Sequence, residues 1–293
     1  MKILLFNPLY RTELPGGLQK YFIRSGSRWP HSGIKKPGEL PHYLPFPFFL
    51  AYSAAWLKAD GFDVVTADCV ALDMTLDGFY ELFKKEAPDA VFFETATPTI
   101  GMDRALVMRL KELRPGCTVI LGGPHTTVYP VETLKECAGA DYVLRGEYEE
   151  TLLELMRCLR GKGDLARVAG AAWRRDGEPV ENAPRPLIDP LDKLPEPAYG
   201  MFPASWAANP SIYWDGFCQH RPAVQMHASR GCPYRCDFCL WNQVMYGNGK
   251  YRTFSAQRVL SEMEKLARDY GAKEIYFDDD DFTINKAHGE AVC

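Results

Sequence analysis

Residues 90–121, AVFFETATPTIGMDRALVMRLKELRPGCTVIL, contain the pattern from which the fold follows. They begin with a short apolar run at Ala90–Phe93 and end with another at Thr118–Leu121. Between the two runs, apolar residues recur at helical spacing across Met102–Leu113. Short apolar runs are typical of buried strands, and apolar residues three or four positions apart are typical of one helix face. The stretch therefore predicts a strand, a helix and a second strand.

The same alternation continues on both sides of this stretch. Together the elements predict an α/β domain: a Rossmann-like (flavodoxin-like) parallel five-stranded sheet with helices on both faces. Continuous apolar strands fit such a sheet because both of its faces are covered. A hairpin is predicted at Gly170–Val180, with Asp176-Gly177 in its turn. The other predicted strands are Ile3–Phe6, Val64–Ala67 and Tyr142–Leu144, and the other predicted helices lie near Phe48–Ala59, Leu76–Glu86, Val131–Cys137 and Glu149–Leu159.

Proline-rich segments divide the chain. Six prolines fall within residues 184–203, and this density indicates a linker because proline interrupts both helices and central strands. We therefore assign residues 1–182 to the Rossmann-like domain, residues 183–222 to a linker and residues 223–293 to a second unit. A further region rich in Gly and Pro, Arg11–Pro45, indicates a long excursion after the first strand.

The second unit restarts the strand and helix pattern. Val224–Ala228 is a predicted strand, a helix follows between an N-cap at Ser255 and a stop at Gly271, and Glu274–Phe277 is the next strand. This order is the opening of a parallel barrel or sheet, and a (β/α) barrel needs about 200 residues or more. Because far fewer residues follow the linker, we expect a truncated barrel, the N-terminal fragment of a longer protein that is inactive on its own.

Bulk composition excludes several classes of function. The 293 residues carry a net charge of −4, with 46% hydrophobic and 25% charged residues, as is ordinary for a globular chain. The negative charge argues against a nucleic-acid partner. No apolar run reaches the length of a membrane span, and the first residues lack a secretion signal, so we expect a cytoplasmic protein. Three of the nine cysteines cluster in one short segment, which favours a metal site over a disulfide framework.

The clustered cysteines lie in residues 230–239, RGCPYRCDFC. Cys232, Cys236 and Cys239 supply three of the four iron ligands of a [4Fe–4S] cluster, which leaves one iron open to another ligand. A straight helix would separate the outer two cysteines by about 10 Å along its axis, so we expect a loop that curls around the cluster. The alternative is a structural zinc site with a fourth ligand nearby. The residues available for that fourth position are Cys218, His220 and His227.

This spacing, with an aromatic residue before the last cysteine, resembles the radical S-adenosylmethionine (SAM) signature. The resemblance implies that the three cysteines hold the cluster and that SAM binds the open iron. An electron from the cluster then cleaves SAM to a 5′-deoxyadenosyl radical. The resemblance also implies that Phe238 lies beside the adenine, and that Asp279 and Asp280 lie near the SAM amino group, whose positive charge attracts carboxylates. A solvated strand end is the alternative reading of these aspartates.

A Rossmann-like domain before such a unit resembles the cobalamin-binding subclass of radical SAM enzymes, which includes methyltransferases and the anaerobic Mg-protoporphyrin cyclase. The segments that carry the resemblance are Asn7-Pro8, Gly61–Val64, Gly122–Thr126, Gly146–Thr151 and Leu191–Ala198. Glycines at strand ends let the backbone approach a flat ligand closely, and the switch point of the sheet provides a crevice. The residues that we expect to contact cobalamin are Asn7, Thr95, Thr97, Gly122, Gly123, His125, Gly146 and Glu147.

The histidines depart from a pattern found in many cobalamin proteins. In that pattern, Asp-x-His-x-x-Gly supplies a histidine to the cobalt, but none of the six histidines here has an aspartate two residues before it. His125 is the nearest candidate for the ligand, and we favour a role for it in lining the pocket. The domain could also lack a cofactor or bind a different ligand, because a fold does not fix a function.

These resemblances predict a cobalamin-dependent radical SAM enzyme whose cofactors are a [4Fe–4S] cluster, SAM and cobalamin. The expected reaction is methyl transfer to an unactivated carbon or phosphorus, and the second option is a radical cyclisation or rearrangement. The expected partners are a small-molecule substrate and an external electron donor of the flavodoxin or ferredoxin type. The rival from another class is a non-catalytic zinc or iron–sulfur binding module.

Overall fold

The computed structural model describes residues 1–25, 31–39, 43–202, 212–247 and 249–293. Its strands are β1 (Lys2–Asn7), β2 (Arg11–Leu14), β3 (Leu18–Ile23), β4 (His31–Lys35), β5 (Asp63–Asp68), β6 (Ala90–Glu94), β7 (Thr118–Gly122), β8 (Tyr142–Leu144), β9 (Ala171–Arg175), β10 (Glu178–Glu181), β11 (Ala223–Met226), β12 (Ser229–Gly231), β13 (Tyr251–Thr253) and β14 (Glu274–Phe277). Its helices are α1 (Phe48–Ala59), α2 (Leu76–Glu86), α3 (Ile100–Leu113), α4 (Pro124–Val128), α5 (Pro130–Glu136), α6 (Glu149–Leu159), α7 (Leu240–Val244), α8 (Ala256–Tyr270) and α9 (Lys286–Val292). In the ranges given above, every helix is too short or too polar to cross a membrane.

The main sheet has the strand order β10-β9-β8-β7-β6-β1-β5 across the described residues. The strands β5, β1, β6, β7 and β8 pair in parallel, and each begins and ends within one residue of its predicted position. The predicted hairpin forms β9 and β10, and β9 pairs antiparallel with β8. The sheet therefore has two more strands than the five predicted, because the hairpin joins its edge.

The direction of strand progression reverses at β1, which lies between β5 and β6. Right-handed crossovers then place α1 on one face of the sheet and α2, α3 and α5 on the other. The helix α6 contacts α1, so it shares the first face. A reversal of this kind opens a crevice outside the carboxyl ends of the two central strands, and doubly wound proteins bind their ligands there.

The two central strands are buried almost completely. All of β6 and all but one residue of β1 are buried, which explains why their sequences are continuous apolar runs. The Phe6 ring stacks on Phe79 of α2 at 4.3 Å and lies 4.8 Å from Phe93. Because this centre is densely packed, the loops at its carboxyl end start from fixed positions.

The predicted excursion after β1 is not a plain linker. Its described part contains an antiparallel sheet in which β3 pairs with both β2 and β4. Alternate residues of β3 are buried, Gln19, Tyr21 and Ile23, and this two-residue period is the one expected of a strand with one face on the protein. We predicted this segment only as an excursion, because its abundance of glycine and proline obscured the alternation within its strands.

The second unit follows the predicted order of strand, loop, helix and strand. The strands β11 and β14 pair in parallel, and α8 connects them. Ser255 caps α8 because its hydroxyl accepts a hydrogen bond from the Arg258 backbone N–H at 3.2 Å, and Gly271 ends the helix in the left-handed conformation. Residues 203–211 of the predicted linker lie outside the described ranges.

Candidate functional site

The loops after β6 and β7 meet at the carboxyl edge of the sheet. The backbone N–H and the hydroxyl of Thr95 both donate to the Gly122 carbonyl, at 2.7 and 3.0 Å. Gly123 has a φ of 97°, and a Cβ there would lie 2.8 Å from the Thr95 carbonyl oxygen. Since L side chains rarely adopt this φ and no room remains for one, only glycine fits. The two loops therefore form a closely packed backbone ledge.

Polar groups of Thr97, His125, Thr127 and the Gly146 backbone N–H border this ledge, and we call them the polar rim. The Thr97 hydroxyl lies 3.0 Å from Nδ1 of His125. Thr127 joins two loops, since its hydroxyl donates to the Gly123 carbonyl at 2.8 Å and accepts from the Gly146 backbone N–H at 2.9 Å. Six of the residues predicted to contact cobalamin are thus brought together on one edge. These are Thr95, Thr97, Gly122, Gly123, His125 and Gly146.

Burial, and secondarily the positive charge of Arg104, lowers the pKa of His125. The imidazole is consequently neutral near pH 7 and pairs with Thr97 as an uncharged partner. A neutral ring with one occupied nitrogen can line a pocket or offer its second nitrogen to a ligand.

Asn7 lies on the same edge, at the end of β1, but its side-chain amide is bound by a neighbour. It donates to Asp68 at 3.0 Å, and Asp68 also accepts from the Tyr213 hydroxyl at 3.0 Å. Burial raises the pKa of Asp68 to about 6. Our sequence reasoning missed Asp68, although it directly follows the predicted strand Val64–Ala67 at the ligand-binding edge and that position was a usable signal.

A second buried group was also missed. Arg24 Nη1 lies 2.5 Å from Asp103 of α3, and the same carboxylate accepts from the Tyr10 and Thr99 hydroxyls, both at 2.9 Å. These residues come from the excursion, the loop after β1 and the start of α3. They lie beside an open, mostly apolar groove of about 370 Å³. The residues that line this groove include Leu9, Leu76, Tyr80, Met102 and Leu106.

Glu147, which we also expect to contact cobalamin, has a buried carboxylate with several partners. Its carboxylate accepts two hydrogen bonds from Arg252, at 2.8 and 2.7 Å, and one from the Ile188 backbone N–H at 2.9 Å. Arg230 lies 3.4 Å from it as well. The side chain is 1% exposed and is fully occupied by residues outside the sheet edge. Glu147 is therefore paired with two arginines of the second unit, which the sequence did not predict, and its contact with cobalamin stays a prediction.

The cysteine loop begins at the end of β12. Gly231 has a φ of 87°, and a Cβ there would collide with the carbonyl of Lys250, the residue before β13, so the chain enters the loop at a glycine-dependent turn. Cys232 and Cys239 are partly exposed and Cys236 is exposed, and all three thiols are free. Within the described residues, His, Cys, Asp and Glu side chains do not converge in a group of three that could hold a metal ion.

The loop nevertheless fits an iron–sulfur cluster chemically. It offers three accessible thiols and no competing disulfide, and thiolates are the ligands that such clusters prefer. The zinc alternative has no preformed site in the described residues either. Phe238 is 79% exposed, so its ring is open to a bound molecule.

The aspartates after β14 hold the strand that leads into this loop. Asp279 accepts from the Ala228 backbone N–H at 3.1 Å and from the Ser229 hydroxyl, and Asp280 accepts from the Gly231 backbone N–H at 3.0 Å. Asp278 and Asp279 are buried, so this run is not a solvated strand end. Their observed contacts are structural, and an additional role at a SAM amine stays a prediction.

The ledge and its rim lie within residues 42–156, the segment that matches the family model described as B12 binding domain. That range contains the Thr95, His125 and Gly146 loops and excludes Asn7. The chain accordingly contains a segment of the B12-binding-domain family, and its relatives include a methyltransferase and an anaerobic magnesium-protoporphyrin IX monomethyl ester cyclase.

Two relatives and one solved structure illustrate this group. The chain is 35% identical over 241 residues to an uncharacterized methyltransferase of Pyrococcus horikoshii, covering 82% of this chain and 50% of the relative. It is 29% identical over 256 residues to the anaerobic magnesium-protoporphyrin IX monomethyl ester cyclase of Rubrivivax gelatinosus, covering 84% and 43%. Its fold matches the radical SAM methyltransferase TsrM from Kitasatospora setae, solved with cobalamin and a [4Fe–4S] cluster, with a TM-score of 0.63, 19% identity, and coverage of 99% and 50%. The chain thus spans about half the length of the relatives that it matches.

Proposed function

We propose that the protein containing this chain is a cobalamin-dependent radical SAM enzyme that transfers a methyl group to an unactivated carbon or phosphorus. The observation that carries the proposal is the glycine ledge with its polar rim, which lies inside the segment that matches B12-binding domains. The cysteine loop follows on the same chain. The relative from Pyrococcus horikoshii, named a methyltransferase, supports this choice of reaction.

Each region of the chain has a distinct task in this proposal. The ledge around Gly123 lets the backbone approach the face of cobalamin, while Thr97 and His125 line the pocket and orient it. Cys232, Cys236 and Cys239 hold the [4Fe–4S] cluster, and exposed Phe238 covers the SAM adenine. When bound, these cofactors supply the methyl group and the radical, and the protein supplies binding, orientation and exclusion of water. An external donor of the flavodoxin or ferredoxin type delivers the electrons, and the substrate is a small molecule.

A second reaction is radical cyclisation. The Rubrivivax gelatinosus relative is a cyclase, and the same ledge and cysteine loop would serve it. The two reactions differ in product: only methyl transfer moves the labelled methyl carbon of SAM into the substrate.

The decisive experiment is anaerobic reconstitution of the full-length protein with iron, sulfide and cobalamin. We expect about four iron atoms per chain, a corrin spectrum that shifts on binding, and release of 5′-deoxyadenosine from SAM after reduction. A single tightly bound zinc, with no iron uptake, would instead identify the cysteine loop as a structural zinc site. Iron uptake without SAM cleavage would identify a non-catalytic iron–sulfur module.

A further inference from the structure

Two arginines of the second unit stand opposite each other on one small sheet. Arg230 of β12 is the register partner of Arg252 of β13. Both side chains extend to the loop after β8 in the Rossmann-like domain. Arg252 makes a two-pronged contact with Glu147, at 2.8 and 2.7 Å. Arg230 Nη2 lies 2.7 Å from Glu149 Oε1, and Arg230 Nη1 lies 3.4 Å from Glu147. We call these four residues the Arg–Glu clamp.

The clamp is excluded from solvent. The side chains of Arg230 and Glu149 are 0% exposed, and those of Glu147 and Arg252 are 1% and 9% exposed. Two positive and two negative charges balance, so removing either partner of a pair would leave a buried charge uncompensated. The Arg230 guanidinium also lies over the ring of Phe49, 4.6 Å from its centroid. Buried, paired and stacked in this way, the arginine has little freedom to move.

The clamp joins the two candidate cofactor regions over a short stretch of backbone. Glu147 directly follows Gly146, whose N–H is part of the polar rim. Arg230 precedes Cys232 by two residues. From the other side, Asp279 and Asp280 hold the backbone of Ala228–Gly231. The strand that leads into the cysteine loop is therefore fixed from both sides, by carboxylates of two different units.

We propose that the Arg–Glu clamp sets the position of the cysteine loop relative to the rim of the B12-binding domain. Its members are positioning residues, because none of them lies on the rim or among the three cysteines. The inference rests on the proposed function, since it gives the clamp the task of holding two cofactors in register. The Glu147 carboxylate is the shared anchor of both arginines and of the Ile188 N–H.

The first test uses Glu147→Gln in the full-length protein, loaded with iron–sulfur cluster and cobalamin. Glutamine keeps the shape of the side chain and removes its charge. We expect iron and corrin contents equal to those of the wild type. The distance between cob(II)alamin and the reduced cluster should vary more, because it is no longer held to within about 0.5 Å. Electron paramagnetic resonance would detect this as a broader distribution of the magnetic coupling between the two centres. The matched control is Glu150→Gln, three residues on, whose carboxylate is 41% exposed and pairs with Arg185 at 3.2 Å; its coupling should equal that of the wild type.

The second test uses Arg252→Lys, which keeps the charge and loses the two-pronged contact. Amide hydrogen exchange of the cofactor-free protein should become faster at Ile188 and across Ser229–Gly231, with β1 and β6 unchanged. This measurement needs no cofactor, so it tests the positioning role of the clamp independently of the proposed function. Unchanged exchange at Ser229–Gly231 would overturn the inference, and so would a Glu147→Gln coupling identical to wild type. A wild type that binds no corrin or no iron would overturn the proposed function instead.

Discussion

The sheet edge and the cysteine loop differ in how much of their geometry exists before any ligand binds. At the sheet edge, Thr95, Gly122 and His125 are already hydrogen-bonded to one another. In the cysteine loop, Cys236 is exposed and the three sulfurs are not gathered into a site. The first region is preorganised, and we expect the second to take its final shape with the proposed cluster, because metal binding and local folding are commonly coupled.

The difference has a physical cause in what supports each region. The loops of the sheet edge leave parallel strands whose side chains are buried on both faces. The cysteine loop runs from β12, which the Arg–Glu clamp holds, to α7, whose Gln243 amide donates to the Cys236 and Asp237 carbonyls at 2.8 and 3.0 Å. The side chains of Tyr234, Cys236 and Phe238 are nevertheless exposed, so we expect this loop to gain most from an added cluster.

The largest expected effect separates the two regions completely. Cys232→Ala removes one of three thiolates, so iron in the anaerobically reconstituted protein should fall from about four atoms per chain to nearly none. Corrin affinity, measured by spectral titration, should stay within about twofold of wild type, because the ledge does not depend on the cluster. The control is Cys293→Ser, an exposed cysteine outside the loop, which should keep its iron. Retention of iron by Cys232→Ala would contradict the assignment of the loop.

The next largest effect concerns Asp68, the buried carboxyl group at the sheet edge, and the pH dependence of stability. Burial raises the pKa of Asp68 from its ordinary value of 3.8 to about 6. A raised folded-state pKa stabilises the protein below the unfolded value, and that stabilisation is lost as pH rises from about 4 to about 6. The free energy of unfolding of wild type minus that of Asp68→Asn should therefore fall by about 3 kcal/mol across this window, measured by urea denaturation.

The control for this comparison is Asp63→Asn, which alters a carboxylate with 63% exposure at the opposite end of β5. The difference in the free energy of unfolding between wild type and this variant is the reference for losing an exposed carboxylate of the same strand. A pH-independent difference between wild type and Asp68→Asn would contradict the raised pKa of Asp68.

A third effect tests whether the ledge needs glycine. Gly123→Ala places a methyl group at a φ of 97° and 2.8 Å from the Thr95 carbonyl, which should destabilise the protein by about 2 kcal/mol. Gly116→Ala is the matched control, since nothing lies within 4 Å of its Cβ position. Urea denaturation measures both. Equal stability of the two variants would mean that the loops after β6 and β7 can separate at little cost.

Local patterns predicted the parallel strands and the caps of α8, because each depends on neighbours in sequence. Apolar runs mark β1 and β6, and Ser255 binds a backbone group three residues away. The ledge was also predictable, since glycines and threonines at strand ends indicate a ligand edge. The number of strands in the sheet was not predictable, because nothing in the hairpin sequence indicates which edge of the sheet the hairpin joins.

Ion pairs between residues far apart in the sequence could not be predicted either, because local patterns carry no information about distant partners. Glu147 contacts Arg252, which is 105 residues away, and Arg24 contacts Asp103, which is 79 residues away. A charged residue in a loop carries no local mark of a distant partner, so Glu147 was assigned to the nearer feature, the ledge. Knowledge of the packing between the two units was needed to find its pairing with Arg252.

The smallest effect concerns His125, where the sheet edge meets its ligand. We expect His125→Ala to weaken corrin binding by about fivefold, the value of roughly one hydrogen bond, because the ring lines the pocket and pairs with Thr97. The electron paramagnetic resonance spectrum of bound cob(II)alamin should not change, since a pocket-lining imidazole adds no nitrogen splitting. His220→Ala, an exposed histidine of the linker, is the control and should match wild type in both measurements. Loss of a nitrogen splitting in His125→Ala would show instead that this histidine binds the cobalt. The preorganised rim would then contain a metal ligand, as we propose for the cysteine loop. The two regions would then differ mainly in how many metal ligands each supplies.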